Sequence, residues 1–180
     1  MKKYFIQILC GLLCAAILPL QAKKVDADKA ERLAQNYVQS KQKLLKKPEV
    51  RLKYTATNRH ALPLRIQQMN VPEVQDTTYF YVFNINDSSG SGFVIIAGDD
   101  AVRPVLGYST NGNYDENNLP PNFAWWMETL QKQIAYAQTQ NLPQTDAVKQ
   151  EWEAYMSGNI PITASSVEPL IKTKWDQGYP

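Results

Sequence analysis

In the middle of the chain, residues 77–98 read TTYFYVFNINDSSGSGFVIIAG. The first part is aromatic and β-branched, a composition that suits a pleated strand. Asn, Asp, Ser and Gly then crowd together, and FVIIAG follows as a short, almost wholly apolar strand. Two such runs around a cluster of turn residues read as a β-hairpin. RPVLGYS, just beyond, predicts a further strand or edge segment, with Pro104 restricting how it pairs. Upstream, RLKYTAT places Leu52, Tyr54 and Ala56 on one face of a half-buried strand.

Helical spacing brackets these strands. DADKAERLAQNYVQSKQKLLKK has apolar residues at Ala30, Leu33, Ala34, Tyr37, Val38, Leu44 and Leu45, interrupted near Lys41. Asp28 and Glu31 suit its first turn, where side-chain oxygens satisfy free backbone N–H groups, and Pro48 ends it. NFAWWMETLQKQIAYAQ repeats the period through Phe123, Trp126, Met127, Leu130, Ile134 and Ala137. In TDAVKQEWEAYM, Thr145 is the expected cap, and Val148, Trp152, Tyr155 and Met156 face inward. The polar loop NGNYDENNLPPN precedes the second helix, and the aperiodic SGNIPITASSVEPL follows the third as a linker. Helices around antiparallel strands give an α+β fold, an antiparallel sheet packed by helices.

The first residues carry a different signal. A basic MKK start, the apolar run YFIQILCGLLCAAILPL and the small residue Ala22 read as an export signal cut after Ala22. The run is too short and too early for a spanning helix, so no membrane association is expected once it is removed. Its loss takes Lys2 and Lys3 from the 19 basic residues and leaves 17 against 17 acidic ones. No basic patch remains to favour nucleic acid. Both cysteines, Cys10 and Cys14, lie in this segment. The exported chain therefore has no disulfide and must hold itself by burial alone. With a single histidine, His60, it can build neither a Cys-His nucleophilic pair nor a conventional zinc site. No catalytic residue, metal or cofactor is expected in it.

Other candidate chemistry is weaker. Gly90 and Gly92 precede a strand rather than link a strand to a helix, so they do not form a phosphate loop. Asp99 and Asp100 are expected to shape the turn after the buried strand, with Arg103 as a partner, rather than to ligate a metal. Trp125 and Trp126 could form a ligand platform, but helical spacing places Trp126 in the core.

Three stretches taken in order resemble one family. GFVIIAGDDAVRPVLGYSTNGNYD (residues 92–115) is similar to the prodomain of the streptopain family of secreted bacterial cysteine peptidases. LPPNFAWWMETLQKQI is similar to the helix that follows in those prodomains. VEPLIKTKWDQGYP is similar to the opening of the peptidase domain. The resemblance is weakest over residues 50–76. It implies a signal peptide over 1–22, an inhibitory prodomain over 23–157, a processing linker over 158–166 and the start of a truncated peptidase domain over 167–180. The catalytic Cys and His of the family lie beyond this chain, so the enzyme activity would belong to a longer parent.

What the resemblance implies about function follows from one need. A protease folded inside its producer must be blocked until export, and a covalently linked segment does this at high effective concentration. It can also aid folding by binding the native peptidase. The loop before the long helix is the part of these zymogens that reaches the active site. The carried-over residue falls on Asn122, flanked by Pro121 and Phe123; Asn122 could instead be a plain helix N-cap. Processing is expected in the linker, with Ile162 pointing to a cut between Thr163 and Ala164. The implied partner is a cysteine peptidase domain in cis, or a homologous peptidase in trans. The alternatives are a standalone trans inhibitor and a secreted binding or structural module. The expected location is outside the cell or in the periplasm.

Overall fold

The computed structural model describes residues 23–42, 48–58, 77–87 and 90–160 of the 180-residue chain. In order, the elements are α1 (Ala27–Gln42), β1 (Glu49–Thr57), β2 (Thr78–Asp87), β3 (Gly90–Ala97), β4 (Val105–Ser109), α2 (Pro121–Thr139) and α3 (Asp146–Ser157). The four strands form one antiparallel sheet in chain order. The fold is α+β. The apolar hairpin is its centre, with Phe83 opposite Val94 and the pairing continuing to Asp87 opposite Gly90.

Both faces of the sheet are covered. Tyr81, Phe83, Ile85, Val94 and Ile96 pack with Leu33, Ala34 and Val38 of α1 and Trp152 of α3. On the other face, Phe80, Val82 and Ile95 pack with Met127 and Ile134 of α2. Strands buried on both sides need apolar residues at successive positions. That is why YFYVF and FVII lack alternation.

Strand β1 departs from simple alternation. Val50 joins the α1–α3 side, whereas Ala56 joins the α2 side. The register shifts between Leu52 and Tyr54, and an extra residue there exchanges the faces of everything downstream. Leu52, expected on the face of Tyr54 and Ala56, is instead parted from them by this bulge and is largely exposed.

The helix ends follow local chemistry, with two corrections. Helix α1 is capped by Asp26, whose carboxylate accepts from the Lys29 N–H at 2.7 Å. Asp28 lies inside the first turn, where its charge complements the helix dipole. Helix α3 starts as expected at Thr145, whose hydroxyl accepts from the Val148 N–H, and closes at Gly158 with φ +75°. Arg103 forks onto Glu151 of α3, with nitrogen–oxygen distances of 2.9 and 3.0 Å, rather than onto the Asp99–Asp100 pair. Asn36 of α1 donates to the carbonyls of Tyr155 and Met156, and the Trp152 indole donates to Val102. These bonds fix α3 beside α1.

Candidate functional site

The loop ahead of α2 is tied to the centre of the sheet. Asn84 of β2 accepts from the Tyr114 N–H at 2.9 Å and donates back to the Tyr114 carbonyl at 3.2 Å. Its side chain thereby ties the loop backbone to the face of β2, a strand paired on both edges. The Tyr114 ring is buried among Tyr54, Phe93 and Phe123, with centroids 5.6, 6.3 and 6.4 Å away. Burial pushes its hydroxyl well above the usual tyrosine range, helped by Tyr54, Glu116 and Asp115 nearby. Beyond it, the Asp115 carboxylate accepts from the Asn117 N–H, and its carbonyl accepts from the Asn118 N–H. The loop folds on itself and delivers the chain to Pro120.

Helix α2 begins there. Pro120 is its N-cap residue and makes no side-chain cap bond. Pro121 is the first helical residue, where a missing N–H and a fixed φ are tolerated. Asn122 lies inside the first turn, exposed, and is not the cap. Phe123 turns the other way. It stacks on Trp126 at 5.6 Å and meets Phe93 edge-on at 5.7 Å. Of the three residues marked by the sequence, Pro121 and Asn122 are exposed, and Phe123 anchors them to the core.

Trp126 packs where Gly107 of β4 leaves room. A Cβ on Gly107 would stand 2.9 Å from the indole and 3.3 Å from Ile95. The glycine of LGYS thus sets how closely α2 lies on the sheet, and with it the height of the Pro121 end. Its neighbour Trp125 is 67% exposed. A bare indole next to Asn122 is the residue that the sequence reading did not place in the site. The available signal was its position between the buried spacings of Phe123 and Trp126. Tyr136, also 62% exposed, lies three turns further along the same face.

The remaining candidates separate cleanly. Asp99 and Asp100 are buried and hold the turn after β3: Asp99 accepts from the Ala101 N–H, and Asp100 accepts from the Lys23 N–H. Residues Ile162, Thr163 and Ala164, His60 and the segments 1–22 and 167–180 lie outside the described residues. Among the described residues, no group of three or more His, Cys, Asp or Glu side chains could hold a metal ion. No helix among them is long and apolar enough to cross a membrane.

Comparison with known proteins adds what geometry alone does not give. A family profile described as Spi protease inhibitor matches residues 22–134. The chain is 28% identical over 188 aligned positions to the thiol protease/hemagglutinin PrtT of Porphyromonas gingivalis, covering all of this chain and 19% of that protein. It is 37% identical over 76 residues to streptopain of Streptococcus pyogenes, covering 42% of this chain and 18% of streptopain. The chain thus spans about a fifth of the length of these relatives. No solved structure matches it.

Proposed function

The chain belongs to the Spi protease inhibitor family, and from that premise we propose that it is the inhibitory propeptide of a secreted streptopain-like cysteine endopeptidase. It blocks the active-site cleft until proteolysis removes it. One observation carries this reading: Pro120, Pro121 and Asn122 are exposed above a packed platform, with the exposed Trp125 beside them. The platform is the Asn84–Tyr114 clamp below and the Phe123–Trp126 stack behind. An exposed, pre-ordered tip loses little conformational entropy on entering a cleft. Proline removes two N–H groups from that tip, so a protease has fewer backbone bonds with which to align it for cutting. Asn122 supplies a polar end, and Trp125 supplies the large apolar contact typical of binding hot spots.

In this reading residues 1–22 direct export, and the segment around Ile162, Thr163 and Ala164 is cut to release the peptidase. The folded body also templates the peptidase domain by binding its native state. The partner is the peptidase domain in cis, or a homologous enzyme in trans.

The test is inhibition of a streptopain-like peptidase by the purified chain at micromolar concentration. Slowed substrate cleavage is expected, and full activity of every such enzyme would overturn the proposal. Trp125→Ala should weaken inhibition by about 2 kcal/mol, roughly thirtyfold, because a hot-spot indole is lost. Asn122→Ala should weaken it less. Neither should move the unfolding midpoint, since both side chains are solvent-exposed; unchanged inhibition by both variants would remove this tip from the contact surface.

A further inference from the structure

Residues 23–26 lie antiparallel to the turn after β3. Val25 donates its N–H to Gly98 at 3.0 Å, Asp100 donates its N–H to the Lys23 carbonyl at 3.1 Å, and Lys24 pairs with Asp99. The Val25 carbonyl accepts from the Tyr81 hydroxyl at 2.8 Å. Within this ladder the main-chain nitrogen of Lys23 donates to the carboxylate of Asp100 at 2.5 Å. Asp100 is held on its other side too, its carbonyl accepting from the Gln144 amide at 2.8 Å. Neither partner is free to swing away.

Asp100 is only 9% exposed. Among the described residues no lysine or arginine side chain forms an ion pair with it, and Arg103, three positions on, is engaged by Glu151. A buried carboxylate that meets only neutral donors among the described residues is costly. We propose that its missing cation is the α-ammonium group of Lys23, created when the export segment is cut after Ala22. The cut hydrolyses the Ala22–Lys23 peptide bond with one water. Ala22 keeps the new carboxylate, and the Lys23 nitrogen becomes an ammonium that the fold brings to the Asp100 oxygen. A hydrogen bond charged only at its acceptor becomes an ion pair charged on both sides. The family profile match begins at residue 22, next to this junction.

The consequence is a domain that gains stability on maturation. Before the cut the folded state lacks the ion pair; afterwards it has it. Weak folding before export suits a chain that must cross a membrane as an extended strand. The proposal rests on cleavage after Ala22 and is independent of whether the domain inhibits a peptidase.

N-terminal sequencing of the exported protein comes first. Lys23 must be the leading residue, and another start overturns the proposal. Urea denaturation then compares the chain 23–180 with the same chain retaining Ala22. Retention should lower the folding constant about tenfold, the scale of a hydrogen bond to a charged group; equal stability overturns the proposal. With Asp100→Asn, the same extension should change the constant by less than about twofold. An equal loss in both backgrounds also overturns it. Should the Asn variant not fold, the unsubstituted chain decides. Its α-amine should be acetylated at least about tenfold more slowly when folded than in urea, because the carboxylate holds its proton. Equal rates overturn the proposal.

Discussion

Single residues set the height and charge of the site. Gly107 is where β4 admits the Trp126 indole, and a methyl group there would stand 2.9 Å from that ring and 3.3 Å from Ile95. Gly107→Ala should therefore destabilise the domain by about 1–3 kcal/mol through overpacking. Urea denaturation checks this, and a neutral result would mean that α2 slides freely on the sheet. Tyrosines carry the pH dependence. Burial raises Tyr155 to about 12, with Glu151 and Tyr37 adding to the shift and Arg103 opposing it. Tyr114 is raised further by the same cause. A pKa raised on folding favours the neutral form, so this stability is complete below the ordinary tyrosine value of 10.0 and is lost as pH rises from there towards 12. Unfolding free energy should fall across that window, and tyrosinate absorbance should appear together with unfolding. Ionisation of every tyrosine near the ordinary value, without unfolding, would contradict the packing described here.

At the scale of elements, two asparagines make matched tests on opposite faces of the sheet. Asn84 joins β2 to the loop before α2, and Asn36 joins α1 to the end of α3. Replacing either with Ala leaves backbone groups without their partners and should cost about 1–3 kcal/mol. Only Asn84→Ala loosens the platform under Pro121 and Asn122, so it alone should weaken inhibition. Equal inhibition by the two variants would show that the tip does not depend on its anchor. The bulge in β1 is the other decision taken at this scale. It lets a nine-residue edge strand serve both cores, with Val50 on one side and Ala56 on the other.

Across the described residues, two apolar clusters on either side of one sheet hold the fold by burial. Their buried members run from Val25 to Trp152, and α3 closes at Gly158. A chain ending at Ile160 should therefore unfold cooperatively, within about 0.5 kcal/mol of the longer chain, as expected for changes away from the packed core. A broad or much weaker transition would show that residues beyond 160 complete the core. Loss of inhibition without loss of stability would instead place part of the contact surface beyond residue 160.

The sequence by itself determined the elements and the family. Helical spacing in α1, α2 and α3 and the aromatic-to-apolar hairpin reported real buried surfaces, because burial acts on local periodicity. The ordered motifs from Gly92 to the α2 segment pointed to the family that the comparison then showed. Tertiary structure alone decided which face each residue meets. Leu52 parts from the face of Tyr54 and Ala56 because a bulge, invisible in RLKYTAT, exchanges the faces of β1. Asp26 rather than Asp28 caps α1, and Asn122 belongs to the first turn of α2, because helix ends depend on what the preceding chain packs against. Arg103 meets Glu151, 48 positions away, and Lys23 meets Asp100, 77 away. Local pattern cannot encode such pairs, because they exist only once the sheet has brought distant backbone together.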